Sequence, residues 1–327
     1  MSITYEHNTT TFFFTCLSDV SKFTLPIFLI ILLAYVIIIC GNVTIITVIC
    51  ENSRLHTPMY SFLLNLSIID IASTSITLPK LLNMLITQYN VISFKECMIQ
   101  LYVFFSMAGT EFNLLAAMAY DRYVAICHPL HYVVLMSSRR TGYLSAMVWF
   151  VGFLDPIAHT VLIAKMSFCA SHAINHFFCD ILPLLQISCS DISGVENVNY
   201  IEGALLVYTA FLLTLVSYIC IISTILKIKS TEGRMKAFST CTSHLTCVIM
   251  YYGTLMCLHM RPTSNYTPKE DMYFALLYVV LVPMLNPFIY TLKNKEFQED
   301  MAKSKRKVLE KTIFQMFPWA IQSQHNK

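Results

Sequence analysis

Seven apolar blocks constrain this chain more than any other feature. They run over residues 25 to 49, 59 to 82, 98 to 122, 143 to 163, 198 to 226, 237 to 260 and 272 to 292. A helix rising 1.5 Å per residue needs about 20 residues to cross a hydrocarbon core of ~30 Å, so each block is long enough to span a bilayer. Inside lipid the backbone must satisfy its own N–H and C=O groups, which an α-helix does within one segment. Composition agrees: 56% of residues are hydrophobic and 13% are charged, about half the charge of an ordinary soluble chain. The expected fold is an all-α membrane protein, a bundle of seven transmembrane helices.

An odd number of crossings puts the two ends on opposite sides, and basic residues near the helix ends decide which is which. One set of loops holds Arg54, Arg122, Arg139, Arg140, Lys227, Lys229, Arg234 and Lys236, and the tail that follows adds Lys293, Lys295, Lys303, Lys305, Arg306, Lys307, Lys311 and Lys327. The other set holds Lys22, Lys80, Lys95, Lys165, Arg261 and Lys269. The expected organisation is an extracellular segment 1–24, a bundle 25–292 and a cytoplasmic tail 293–327, in a multi-pass protein of the plasma membrane. The net charge of +3 is therefore an orientation signal, and no basic cluster suggests a nucleic-acid partner. Residues 1–24 lack a basic stretch followed by a removable apolar core, so the first helix is expected to act as an uncleaved targeting signal. Asn8 opens a glycosylation sequon on the outer side, and Asn265 opens another beside the membrane.

Cys97, Cys169, Cys179 and Cys189 lie on the outer side, three of them in a long loop of about residues 164 to 197. An oxidising compartment allows two disulfides among them, and spacing alone leaves three pairings open. Within the helices, Asp70, Glu111, Glu202 and Asn286 stand out. An ionised group at a helix centre costs at least about 2.5–3.5 kcal/mol unless it faces partners or water, so these should point inward. Phe104, Ala108, Glu111 and Leu115 recur at helical spacing and share one face of the third helix.

At the inner end of that helix the chain reads MAYDRYVAICHPLHY (118–132). Further strings follow in matching order: GN at 41–42, LHTPMYSFLLNLSIID at 55–70, HFFCD at 176–180, SY at 217–218, KAFSTCTSH at 236–244 and PMLNPFIYTLKN at 283–294. Together they resemble the olfactory receptors of the tetrapod type, within the rhodopsin-like G-protein-coupled receptors. The resemblance touches nearly every helix. It implies a receptor that binds small volatile odorants in a rhodopsin-like bundle and activates a heterotrimeric G protein of the stimulatory, olfactory type, raising cyclic AMP.

The same resemblance assigns roles by residue. Asp121 would restrain Arg122 at rest, with Tyr123 beside them, and Tyr218 and Tyr290 would support Arg122 in the active state. Asp70, Glu111 and Asn286 resemble a polar centre used for a sodium ion or a water network; a protonated carboxyl bonded to its neighbours is the other reading of these residues. Cys97 would pair with Cys179, and Cys169 with Cys189. The odorant pocket would take Phe104, Phe105, Ala108 and Gly109 from the third helix and Glu202 and Leu206 from the fifth. Leu255 and His259 from the sixth and Leu276 and Val279 from the seventh would complete it. Glu202 and His259 are expected to bond each other or a polar odorant group, because a polar group near a dry pocket needs a partner. Cys169, His172, His176 and Cys179 have the spacing of a zinc site, but oxidised sulfurs cannot serve as thiolate ligands. The same objection meets a metal-assisted odorant site at His176, Cys179 and Asp180. No resident cofactor is expected beyond the sodium ion.

Two stretches depart from the wider superfamily. Tyr251, Tyr252 and Gly253 stand where many rhodopsin-like receptors carry Trp and Pro, and Thr209, Ala210 and Phe211 stand where relatives often place a helix-kinking Pro. Asp155 before Pro156 receives no role. No phosphate loop, nucleophile elbow or zinc-protease helix motif suggests an enzyme. The paired interrupted helices and internal repeats of a transporter are absent from the sequence. The nearest alternative is a rhodopsin-like receptor for a small ligand that is not an odorant.

Overall fold

A computed structural model describes residues 11–15, 24–169, 172–259, 267–292 and 297–303. Seven long helices dominate it: α1 (Thr24–Glu51), α2 (Pro58–Thr87), α3 (Phe94–Cys127), α4 (Ser138–Leu154 continuing as Pro156–Ala164), α5 (Ser193–Glu202 continuing to Leu226), α6 (Thr231–His259) and α7 (Pro268–Leu276 continuing to Leu292). Each begins and most end outside the apolar block that marks it, because hydropathy measures only the part in hydrocarbon while backbone bonding carries the helix into the polar layers. The start of α3 has a local cause. Ser93 accepts a hydrogen bond from the Glu96 N–H while the Glu96 carboxylate accepts one from the Ser93 N–H, so two donors that the first turn would otherwise leave open are satisfied.

Among the described residues six helices are long and apolar enough to cross a membrane, all but α6. α6 carries Ser, Thr, His and Tyr along its outer two-thirds, and those polar side chains make several of the contacts described below. α3 is the axis of the bundle, packing on α2, α4 and α5. Of its most apolar stretch 61% is buried inside the protein, against 22% for α5. What α5 does not bury within the protein it turns outward, with Leu205, Leu212, Leu213, Val216 and Ile219 exposed, as are Leu25, Leu29, Ile30 and Leu33 on α1. Apolar surface this extensive is untenable in water and is what lipid chains cover.

Three irregularities shape the bundle. Pro156 has no N–H to return to the turn before it, and α4 is interrupted there at Asp155. α5 widens into a π-turn over Gly203–Val207 and α7 does so over Leu277–Leu281; such turns rotate everything beyond them and are frequent at functional sites. The π-turn of α5 lies just ahead of the Thr209, Ala210 and Phe211 positions where a Pro kink is missing, so an irregularity is present without the proline.

A small sheet lies at the end of the bundle that carries Cys97 and Cys179 and was not anticipated. β1 (Thr11–Phe14) pairs antiparallel with β2 (Val91–Ser93) and parallel with β3 (Ala173–Ile174), in the order β2-β1-β3. Phe12 and Phe14 point inward at 0% and 2% exposure while Phe13 faces out, and Phe12 packs edge-on against Phe168 with ring centres 5.2 Å apart. Strands of two to four residues leave no periodic signature, which is why sequence patterning missed them. At the opposite end a short helix over 297–303 seats the buried Phe297 against Tyr60 of α2, with ring centres 6.3 Å apart.

Candidate functional site

A cavity of about 320 Å³ opens in the outer half of the bundle between α3, α4, α5 and the long outer loop. Its position follows from one close approach. A Cβ added to Gly152 of α4 would lie 2.0 Å from Thr110 Oγ1 and 2.7 Å from the Thr110 backbone nitrogen. Only glycine lets α4 touch α3 this closely. That contact carries the next turn of α4, with Asp155, Pro156 and His159, onto the cavity wall. Phe105, Ala108, Gly109 and Phe112 of α3 form the apolar side, Glu202 and Leu206 project from α5 around its π-turn, and Leu255 comes from α6.

The cavity thus lies between α3, α4 and α5, whereas the pocket inferred by resemblance lay between the third, fifth, sixth and seventh helices. Phe105, Ala108, Gly109, Glu202, Leu206 and Leu255 line it. Phe104, Leu276 and Val279 do not: Phe104 is turned toward Phe178 of the outer loop at 4.7 Å and Tyr278 of α7 at 5.7 Å between ring centres, Val279 is buried in the π-turn of α7, and Leu276 packs beside it. The reason is rotational, since adjacent helix positions differ by about 100° and Phe104 and Phe105 therefore look to different neighbours. The side chain of His259 lies outside the described residues. Glu202 meets His159, whose Nδ1 is 2.8 Å from Glu202 Oε2. Neither His159 nor Asp155 was singled out for the pocket by sequence, and the only signal was the Asp-Pro step itself.

Below the cavity α6 crosses to α3 and α7. Tyr251 donates to the Ala108 carbonyl at 2.6 Å and packs on Tyr278 with ring centres 5.6 Å apart. Tyr278 in turn donates to Glu111 at 3.4 Å. Tyr252 lies against Phe112 at 4.9 Å and Phe211 at 5.4 Å between ring centres. The two tyrosines of α6 therefore touch the cavity wall on one side and the polar centre on the other.

In that centre both oxygens of Asp70 accept from Asn286 Nδ2, at 3.2 and 3.0 Å. Asp70 and Glu111 are 0% and 2% exposed and close enough for each to feel the other's charge. Among the described residues no lysine or arginine pairs with either. Ser67 Oγ, one helical turn before Asp70, is buried without a hydrogen-bond partner. Two buried carboxyls, an amide that presents its N–H to Asp70 and a hydroxyl without a partner supply oxygens of the kind that a hard monovalent cation takes.

At the inner rim Asp121 accepts from Tyr132 at 2.9 Å and stands 3.9 Å from Arg122 Nε. Tyr123 is bonded to His128 Nε2 at 2.9 Å. Tyr218 of α5 is bonded to His244 Nδ1 of α6 at 2.6 Å, both buried, and Arg122 is near enough to act electrostatically on both. His244 closes the KAFSTCTSH string, yet no spacing rule marks it as the partner of Tyr218. The side chain of Tyr290 lies outside the described residues.

On the outer side Cys97 is bonded to Cys179 and Cys169 to Cys189. The first ties the loop to the start of α3 and the second closes the loop on itself. The Cys97 bond also holds Cys179 where its N–H donates to Gln100 Oε1 at 2.9 Å. Beside it His176, Asp180 and Asp271 of α7 bring their ligand atoms within 4.8 Å of one another, with His176 Nε2 3.8 Å from Asp271 Oδ2. Burial pushes His176 down to about 3 and Asp180 up to about 6, so the imidazole is neutral. Cys179 is in a disulfide, and it is Asp271 that stands with His176 and Asp180. Asn8 lies outside the described residues.

Comparison with known proteins supplies the remaining finding. The family model described as "Olfactory receptor" matches residues 31–310. Olfactory receptor 1C1 of Homo sapiens is 46% identical over 275 residues, covering 84% of this chain and 87% of its own length. Olfactory receptor 1G1 of Gorilla gorilla gorilla is also 46% identical, over 83% and 87%. Olfactory receptor 5AR1 of Mus musculus is 43% identical, over 88% and 93%.

Proposed function

Since this chain belongs to the olfactory receptor family, a family of seven-helix membrane receptors and not of enzymes, we propose that it binds a small volatile odorant in the cavity beside α3 and transmits binding to a heterotrimeric G protein. The G protein is of the stimulatory, olfactory type, and the product is a rise in cyclic AMP. The observation that carries this reading is the continuous path from Ala108 on the cavity wall, through Tyr251 and Tyr278, to the buried Asp70, Glu111 and Asn286 centre.

A ligand shifts such a receptor only by binding one arrangement better than the other. An odorant pressing on Ala108 and Phe112 acts on the groups that Tyr251 and Tyr252 hold, so its presence bears directly on where α6 sits against α3. At the inner rim, the Tyr218–His244 bond joins α5 to α6 in this arrangement. Outward movement of α6 breaks that bond and frees Tyr218 to turn toward Arg122. Moving a two-state population from 1:99 to 99:1 takes about 5.5 kcal/mol of differential affinity, within reach of a few buried contacts. In the polar centre Asp70, Glu111 and Asn286 would hold a sodium ion, whose charge would offset that of the carboxylates.

The protein lies in the plasma membrane with its amino terminus outside, carrying a glycan at Asn8, and its tail in the cytoplasm. A cyclic-AMP reporter in cells exposed to an odorant panel tests the function. At least one odorant should raise the signal in a dose-dependent way, and Arg122→Ala, with surface expression matched, should abolish it. A response that survives Arg122→Ala overturns the proposed coupling.

A further inference from the structure

The polar end of the cavity is unbalanced. Asp155 and Glu202 line it, and among the described lining residues there is no lysine or arginine. His159 offers one compensating group, and its Nδ1 is already committed to Glu202 at 2.8 Å. Asp155 stands within electrostatic range of both Glu202 and His159, yet its Oδ1 is buried with no hydrogen-bond donor among the described residues. His159 is 6% exposed and its Nε2 is likewise buried without a partner. Buried acceptors left without donors are costly and rare. Asn113 and Asn199 add amides to the lining, and most of the remainder is apolar, Phe105, Phe112 and Leu206 included.

We propose, resting on the reading of this cavity as the odorant site, that the ligand class is a small protonated aliphatic amine. Its ammonium group donates to Asp155 and to the Glu202 of the His159 pair, and its hydrocarbon chain lies along Phe105, Phe112 and Leu206. The geometry rejects carboxylic acids by charge. Neutral alcohols, with a single donor and no charge, complete only part of the site.

Binding measured apart from signalling tests this. The full-length receptor, purified in detergent, is titrated with hexylamine, hexan-1-ol and hexanoate while its thermal unfolding is followed. Hexylamine should bind at least about tenfold more tightly than hexan-1-ol, the scale of a charge-assisted hydrogen bond in a buried site, and hexanoate should not bind measurably. Asp155→Asn and Glu202→Gln, which keep the shape of the side chains, should each lower the amine's affinity several-fold and leave that of hexan-1-ol in place. Equal binding of amine and alcohol overturns the assignment, as does an amine preference that both variants retain. Amine binding without any cyclic-AMP response would overturn the proposed coupling and leave the ligand class standing. A response restricted to neutral odorants would do the reverse.

Discussion

Single residues decide where this site lies. Gly152 and Gly109 face each other across the α3–α4 contact, but they tolerate a methyl group differently. A Cβ at Gly152 collides with the Thr110 backbone, whereas one at Gly109 meets Asp155 Oδ2 and the Gly152 Cα at 3.5 Å, an ordinary contact. Gly152→Ala should therefore destabilise the receptor by about 1–3 kcal/mol, the usual cost of overpacking, and push Asp155 off the cavity. Gly109→Ala should be close to neutral for stability. Thermal unfolding of both variants in detergent checks the contrast, and equal melting temperatures would remove the close approach as the determinant of the cavity. The same scale explains the partner of Glu202. A polar group beside a dry pocket needs one, and that His159 of α4 supplies it depends on which helix faces α5 at that depth, information that spacing within one helix does not carry.

At the scale of elements, the outer loop is held to the bundle by a disulfide, and the buried His176 and Asp180 beside it have a predictable response to pH. His176, lowered by burial to about 3, costs stability as pH falls below its unfolded value of 6.5, because the unfolded chain takes a proton that the folded chain refuses. Asp180, raised by burial to about 6, acts in the opposite sense. Its contribution is fully present below the unfolded value of 3.8 and is lost as pH rises through about 6. Between about pH 4 and 6 the two offset each other, each with a slope of up to about 1.4 kcal/mol per pH unit. Asp180→Asn should therefore become less stable on acidification from pH 6 to 4, while His176→Gln should become more stable. Melting curves across that range test the opposition, and profiles that run parallel would show that the pair does not titrate as described. The π-turns of α5 and α7 belong to this scale as well: the first opens at Gly203, and the second contains Val279, whose carbonyl meets no N–H from Pro283 four residues on.

For the whole molecule the decisive property is the apolar exterior. The exposed faces of α1 and α5 require a bilayer or detergent, and the distribution of basic residues implies a direction of insertion. An epitope placed after Lys327 should be unreachable by antibody on intact cells and reachable once they are permeabilised, while one placed before Met1 should be reachable in both. The reverse pattern would overturn the orientation and, with it, the assignment of the Asp121–Arg122 end to the cytoplasm.

Seven lipid-crossing helices and their approximate limits follow from the sequence alone, because bilayer thickness dictates segment length and backbone bonding dictates helix. The inner motif and the four outer cysteines are also visible there, since they are local strings whose resemblance to a family needs no coordinates. What only the tertiary structure decided is which faces meet. That Gly152 admits α4 to α3, that Asp155 and His159 join Glu202 on one cavity, that Tyr218 finds His244, and that a strand at Thr11–Phe14 pairs with two others far along the chain are all contacts between segments distant in sequence. Their geometry depends on helix rotation and close packing, quantities that a periodic pattern within one segment leaves free.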